Sequence, residues 1–334
     1  MNSVFSIKRI WLNRDKKLFQ EWSNLLVSNE LAVDTQVDYT IGIFNENQLI
    51  GTASLYQNII KCVSVSTDYQ GNDLLAKLVT HLLEYLKEQM IFHTFLYTKP
   101  ESAILFKGLG FEEIIRTDQV VFMEFGQPNF DSFLEILNQN KQSFKTASSI
   151  VMNANPFTLG HYYLIKEASK QSEWVYVFVV SEDSSEFSSD ERMELVKQGC
   201  ASLTNVTILP TMTYQVSSAT FPSYFLKERA ELDVAKTQAT LDAKLFKEKI
   251  AKALNIKKRF VGDEPYSKVT NVYNEAMKTE FQTDIELIIL NRKEVESEII
   301  SATKVRKAYE EKNWSKIKKM VPETTYNYLL TRGE

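Results

Sequence analysis

The sequence predicts an α/β protein in two parts: a C-terminal half built on a parallel sheet covered on both faces, and an α+β half before it. Three observations carry that expectation. Beyond residue 146, almost unbroken apolar runs such as "WVYVFVV" (174–180) and "IELIIL" (285–290) alternate with amphipathic stretches. Strands buried on both faces read in this way, and their alternation with helices signals a parallel sheet. Up to Phe125 the pattern differs: short strands follow one another through polar turns, as antiparallel neighbours do. Between the two, "GQPNFDSFLEILNQNKQSF" (126–144) opens on breakers and continues as a helix. The expected division is therefore 1–126, a connecting helix over 127–146, and 147–334.

Taken in order, "DYTIGIFNENQLIGTASLYQ" (38–57) predicts two strands around the turn Asn45-Glu46-Asn47-Gln48, and "NIIKCVSVS" (58–66) a third. Within residues 72–89, Leu74, Leu75, Leu78, Val79, Leu82, Leu83 and Leu86 recur at helical spacing. "IFHTFLYT" (91–98) predicts a strand, "SAILFKGLGF" (102–111) a short helix ending at Gly110, and "VVFMEF" (120–125) another strand. In the second half, residues 149–152 read as a strand and residues 160–171 as a helix. A helix follows over about 190–200, then the strand "NVTILP" (205–210) and a long helical stretch through Leu254. "KRFVG" (258–262) and "IELIIL" are strands with a helix between them, and helices complete the chain.

Bulk properties exclude several classes. A chain of 334 residues, 44% apolar and 25% charged, is a globular composition with room for two domains. A net charge of −4 gives no whole-molecule attraction for nucleic acid or an anionic membrane, so neither is an expected partner. No apolar run approaches the ~20 residues of a membrane span, and Met1–Phe5 lacks the basic region and apolar core of a secretory signal. Cys62 and Cys200, without CxxC spacing, read as buried thiols in a reducing compartment, which makes the cytoplasm the expected location. No metal-ligating cluster is expected.

The informative stretch is "IVMNANPFTLGHYYLIKEAS" (150–169), a strand that breaks and resumes as a helix. Ligands in open parallel sheets bind beyond the carboxyl ends of the strands. A helix starting near Gly160 aims its unpaired N–H groups and positive dipole end into that space, which favours phosphate. Gly160 lets a phosphate approach the backbone, and His161 in the first turn can donate to it. Pro156 stiffens the turn, while Asn153, Asn155 and Thr158 supply side-chain donors; the plainer alternative is a turn followed by a polar first helical residue. "IISATKVRKAYEE" (299–311) opens a second helix with Ser301, Thr303 and, one turn on, Arg306, again suited to phosphate.

"NPFTLGH" resembles the (H/T)xGH motif of the nucleotidyltransferase superfamily, and "ISATKVR" its later ISxTxxR-type signature. The resemblance implies a Rossmann-like sheet that binds a nucleoside triphosphate between the motifs, with attack on the α-phosphorus and loss of pyrophosphate. Thr158 and His161 would stabilise charge on the phosphoryl group, Ser301, Thr303 and Arg306 would hold the β- and γ-phosphates, and Mg²⁺ would assist. "FVGDEPYS" (260–267) would border the nucleotide: Gly262 permits close approach, and Asp263 and Glu264 either reach a ribose hydroxyl or metal-bound water or form a solvated acidic turn. Arg192 is the nearest candidate for a basic phosphate contact, or else pairs with a neighbouring Glu.

"VMNANPFTLGH", "SSATFPSYFLKERA", "LDAKLFKEKIA", "RFVGDEPYSKVTNVYN" and "VPETTYNYL", in this order and spacing, together resemble the citrate lyase ligase family. That implies ATP-dependent acetylation of the thiol prosthetic group, a dephospho-CoA derivative, on the citrate lyase acyl carrier subunit. Acetate and ATP would give acetyl-adenylate, from which the thiol displaces AMP. Ser217, Ser218 and Thr220 would enclose acetate or the adenylate. The alternative within the superfamily is an adenylyl- or cytidylyltransferase making a stable nucleotide conjugate. The N-terminal half resembles the GNAT acetyltransferase fold, with "VSVSTDYQGNDLLAKLV" (63–79) where that family has its pyrophosphate loop. Asp73 departs from the pattern: it either repels a pyrophosphate or caps the helix. His81 and His93 read as non-catalytic.

Overall fold

The computed structural model describes residues 5–71, 73–181, 185–214, 231–263, 268–291, 294–295 and 298–332. The chain divides into two compact units, Met1–Ser132 with Val216–Leu241, and Phe133–Gln215 with Asp242–Glu334. Within the first unit, Thr237 Oγ1 donates to Gln119 Oε1 at 2.8 Å.

The first unit contains β1 (Phe5–Ile10), α1 (Lys16–Ser28), β2 (Tyr39–Asn45), β3 (Gln48–Tyr56), β4 (Ile59–Val65), α2 (Leu74–Glu88), β5 (His93–Thr98), α3 (Ala103–Lys107), β6 (Glu112–Arg116) and β7 (Val121–Gly126). They build a seven-stranded sheet in the order β1-β2-β3-β4-β5-β7-β6. Its one parallel pairing, β4 with β5, is limited to Ile59↔Phe95 and Ile60↔Leu96. The strands then diverge, and a cavity of about 700 Å³ lies between Val63–Val65 and Tyr97–Lys99. The stripe of α2 covers the sheet as its spacing predicts: Leu74, Leu78, Val79, Leu82 and Leu86 are buried. Apolar burial here, at about 25 cal/mol per Å², is what holds α2 in place.

α4 (Phe130–Gln139) leads to the second unit, with β8 (Ala147–Met152), α5 (Leu159–Lys170), β9 (Trp174–Val179), α6 (Ser189–Cys200) and β10 (Val206–Pro210). α7 (Glu231–Leu245) continues through a π-helical turn into α8 (Lys252–Leu254), followed by β11 (Ile256–Gly262), α9 (Lys268–Phe281) and β12 (Glu286–Leu290). α10 (Ala302–Glu310), α11 (Trp314–Met320) and α12 (Glu323–Arg332) complete it. The five strands are all parallel, in the order β10-β9-β8-β11-β12. This is the Rossmann-like sheet that the alternating pattern predicts. One face carries Ile150, Met152, Val175, Val177 and Val179, packed with Ile165 and Ala168 of α5 and Leu195 and Val196 of α6. Strand order reverses between β8 and β11, which puts a ligand crevice beyond the ends of those two strands.

Candidate functional site

β8 gives way at exposed Asn153 to a loop, residues 154–158, that is buried throughout. Ala154 takes a left-handed backbone (φ 51°), and the Asn155–Pro156 peptide is cis. Phe157 is fully buried and lays its ring on α6 at Gly199, where a Cβ would collide with it. Thr158 then caps α5. Its Oγ1 accepts from the His161 N–H at 3.3 Å, and its own N–H donates to His161 Nδ1 at 3.1 Å. This is a capping box with histidine at the place usually held by Glu or Gln. A ring nitrogen that accepts a backbone N–H must carry a lone pair, so the neutral imidazole keeps its proton on Nε2. The ring also lies nearly parallel to Phe157, at 14° with centroids 5.9 Å apart. His161 is thus fixed in plane and in tautomer, with Nε2–H as its donor.

Arg192 holds the loop from within. It has no solvent exposure, and its Nε donates to Phe187 O at 3.0 Å. Its Nη1 donates to Asn153 O (3.1 Å), Asn153 Oδ1 (2.7 Å) and Val180 O (2.5 Å). A guanidinium occupied by carbonyls in this way ties the end of β8 to the end of β9 and to the approach to α6. The fold therefore puts Arg192 in a positioning place behind the loop, not on its ligand-facing side. Asn155 supplies a second tie, its Oδ1 accepting from Phe187 N–H at 3.3 Å.

α10 reaches the same loop. Ser301 caps it by accepting from Lys304 N–H at 3.2 Å. Arg306 donates from Nη1 to Asn155 O at 2.6 Å and from Nη2 to Thr303 Oγ1 at 3.3 Å, with Glu186 Oε2 3.9 Å from Nε. Ile300, immediately before the cap, stands 3.7 Å from where a Cβ of Gly160 would be. The starts of α5 and α10 are therefore neighbours on one rim. Each presents unpaired N–H groups and a positive dipole end, and Arg306 adds a full charge that is still 28% exposed. A Cβ at Gly160 would make only ordinary contacts, 3.5 Å to Thr158 Oγ1 and 3.7 Å to Ile300, so packing does not demand glycine there.

Across the crevice, β11 ends at Gly262, where nothing lies within 4 Å of a would-be Cβ. Asp263 follows, its N–H donating to Leu290 O at 2.8 Å. The structure thus assembles Asn153, Asn155, Pro156, Thr158, Gly160, His161, Ser301, Thr303 and Arg306 on one rim, with Gly262 and Asp263 on the adjoining strand end. Glu264, Ser217, Ser218 and Thr220 lie outside the described residues. Phe157, Gly199 and Arg332 were missed in the sequence. Arg332 donates to Glu186 O at 2.9 Å and sits over the Phe187 ring at 4.3 Å, bracing the loop that Arg192 holds. A glycine inside a helical pattern, as at 199, was the available signal for a ring packed against it. In the first unit, Asp73 has a left-handed backbone (φ 54°) and makes no side-chain cap bond, so it lines the inter-strand cavity without capping α2. His93 pairs with buried Glu124 at 2.8 Å, a structural contact.

A parallel sheet in this order, with two helix starts and a cationic side chain on the rim at its switch point, defines a Rossmann-like α/β fold. The model of the citrate lyase ligase C-terminal domain matches residues 147–329. The citrate (pro-3S)-lyase ligase of Klebsiella pneumoniae is 36% identical over 334 residues, covering 98% of this chain and 97% of that protein. That of Haemophilus influenzae is 38% identical over 330 residues, 96% of this chain and 98% of the other. The chain belongs to the citrate lyase ligase family and is an enzyme of the ligase class. Among solved structures, a GNAT-family acetyltransferase from Staphylococcus aureus is similar at 17% identity over 37% of this chain and 99% of its own, with a TM-score of 0.32.

Proposed function

We propose that the chain uses ATP to join acetate to the thiol of the citrate lyase acyl carrier subunit, through acetyl-adenylate, with release of pyrophosphate and AMP. The observation that carries this reading is the 2.6 Å bond from Arg306 to Asn155 O, which brings the two helix starts together at the switch point. In the first step an acetate oxygen bonds to the α-phosphorus, and pyrophosphate leaves with the electron pair of the broken P–O bond. In the second, the carrier thiolate bonds to the acetyl carbon and AMP leaves. The α5 start, with Asn153, Asn155, Pro156 and Gly160, forms the near wall, and His161 Nε2–H donates to the phosphoryl oxygen as charge grows there. Thr158 and Arg192 act through His161 and the loop. Ser301, Thr303 and Arg306 hold the β- and γ-phosphates, and Gly262 and Asp263 border the nucleoside.

Among the described residues no group of three His, Cys, Asp or Glu could hold a metal ion. Mg²⁺ would be carried by the triphosphate oxygens, where it neutralises charge on the leaving pyrophosphate. The thiol must come from the partner, because burial pushes both Cys62 and Cys200 up to about 12 and leaves them as inert thiols at neutral pH. The same buried thiols support a cytoplasmic setting; no helix among the described residues is long and apolar enough to cross a membrane. We assign residues 147–334 to the ATP-dependent chemistry and residues 1–126 to a GNAT-like domain, with 127–146 connecting them. The test is exchange of labelled pyrophosphate into ATP with and without acetate, followed by product analysis with thiol-form citrate lyase. Acetate-dependent exchange and one AMP per thioester support the reading. ADP and phosphate, or a stable nucleotide conjugate formed without thiol consumption, contradict it.

A further inference from the structure

The face of the second sheet opposite α5 and α6 holds a charged side chain that the reading above does not use. Arg259 lies in the middle of β11, beside the apolar Phe260 that faces α5 and α6, so alternation turns Arg259 to the other side. It is 8% exposed, and its Nε and Nη1 are buried with no hydrogen-bond partner among the described residues. The guanidinium lies 4.4 Å from the Phe246 ring, and the Asp242 carboxylate acts on it electrostatically without a hydrogen bond to Nε or Nη1. A guanidinium has five donors and normally uses them when buried. An orphaned one is costly, and replacement by an apolar side chain would relieve that cost. Retention of a charge under those conditions points to an anion that is present only when the enzyme works.

The space beside it says which anion. Arg259 lines a cavity of about 30 Å³, with Val151, Phe178 and Ile250 as apolar wall, and Thr211 and Asp242 as polar lining. That volume holds about two waters, or a small organic anion. Val151 and Phe178 lie one residue before the ends of β8 and β9, and Thr211 just beyond β10, so the cavity lies under the rim that carries Asn153. Burial pushes the Arg259 guanidinium down to about 10, while the Asp242 carboxylate acts in the opposite direction, so it stays charged at neutral pH. Asp242 lines the cavity as well, so a monoanion leaves one net negative charge beside the guanidinium and a dianion such as phosphate two, and in a space of low dielectric the monoanion costs less. The apolar wall suits a methyl group.

We infer that the Arg259 cavity is the binding site for the short monocarboxylate substrate, with Arg259 gripping the carboxylate and Val151, Phe178 and Ile250 limiting the length of its carbon chain. This rests on the ligase reading for its substrate, but the site itself can be tested separately. The full chain is titrated with carbon-13-labelled acetate in the absence of nucleotide, and acetate-dependent pyrophosphate exchange is measured in parallel, for wild type, Arg259→Met and Ile250→Ala. Arg259→Met is expected to lose the labelled-acetate shift and to raise the acetate KM at least about ten-fold, the scale for one charge-assisted bond, with the ATP KM unchanged. Ile250→Ala is expected to raise propionate over acetate in kcat/KM about ten-fold, as one methylene in an apolar pocket allows, and it decides the matter alone should Arg259→Met not fold. Unchanged acetate binding and KM in Arg259→Met, or unchanged chain-length preference in Ile250→Ala, overturns the assignment and leaves the ligase reading intact. Wild type that binds acetate through Arg259 yet shows no exchange contradicts the ligase reading and upholds the carboxylate site.

Discussion

Gly160→Ala separates a site glycine from a structural one. The added Cβ would stand 3.5 Å from Thr158 Oγ1 and 3.7 Å from Ile300, both ordinary contacts, at a residue without positive φ. Alanine is better than glycine inside a helix by about 0.5–1 kcal/mol. Position 160 lies in the first turn of α5, so the lower end applies, and for a domain of this size about 0.5 kcal/mol raises Tm by about 1–2 °C. Ligand binding should move the other way. The methyl group occupies the space through which a phosphate oxygen reaches the N–H groups of the first turn, and loss of one charge-assisted bond costs about 1.5–3 kcal/mol. The Kd for ATP should then rise about 10- to 150-fold. Calorimetric melting and titration with ATP measure both quantities on one preparation. Equal ATP affinity in the variant and wild type would refute the placement of phosphate over Gly160, and a fall in Tm would refute the claim that packing tolerates the methyl group.

Other consequences concern the supports of the rim. Gly199→Ala drives a methyl into the Phe157 ring and should destabilise the second unit by about 1–3 kcal/mol, read from urea unfolding; a neutral result would mean that Phe157 can leave α6. Arg192→Met strands carbonyls of Asn153, Val180 and Phe187 and should lower stability by about 3 kcal/mol or more, whereas Arg259→Met should not lower it in acetate-free buffer; melting curves of the two compare them. His161→Ala should lower kcat about 10²- to 10³-fold with little change in ATP affinity, measured by single-turnover adenylation, and an unchanged rate removes His161 from the chemistry. Burial raises the Glu191 carboxyl, but bonds from Tyr328 and Ser188 and the Arg332 charge outweigh it and hold its pKa below 4.5. A depressed carboxyl contributes stability that is present above the unfolded value of 4.5 and lost as pH falls through the folded one. Tm measured from pH 7 to 3 should therefore fall more steeply for wild type than for Glu191→Gln; parallel curves contradict the assignment.

Most of the architecture was legible because local signals and burial agree. The run "WVYVFVV" is β9, buried from Val175 to Val179, and the α2 leucines fall on the face their spacing predicts. β1 was not legible: "FSIKRI" lies at the sheet edge, mixes charged and apolar residues, and is largely exposed or half-buried. β6 escaped for the same reason. In the site, the two helix starts could be read because caps and glycines act within a few residues. The place of Arg192 could not, since its acceptors are Asn153 on the β8–α5 connection and Val180 and Phe187 on the β9–α6 connection, two loops that only the fold brings together. Arg259 stood in "KRFVG" as an ordinary strand residue; the warning was a long cation at an inward position of a doubly covered sheet. Asp73 left two readings open; its side chain makes no cap bond to α2, which removes the capping one.

The central claim is that a triphosphate spans the starts of α5 and α10. The most direct measurement is a crystal structure with a non-hydrolysable ATP analogue. The account predicts phosphate oxygens within hydrogen-bonding distance of the first-turn N–H groups of α5, of His161 Nε2 and of Arg306, with the nucleoside beside Gly262. A nucleotide bound elsewhere, or one whose phosphates touch neither helix start, would contradict it.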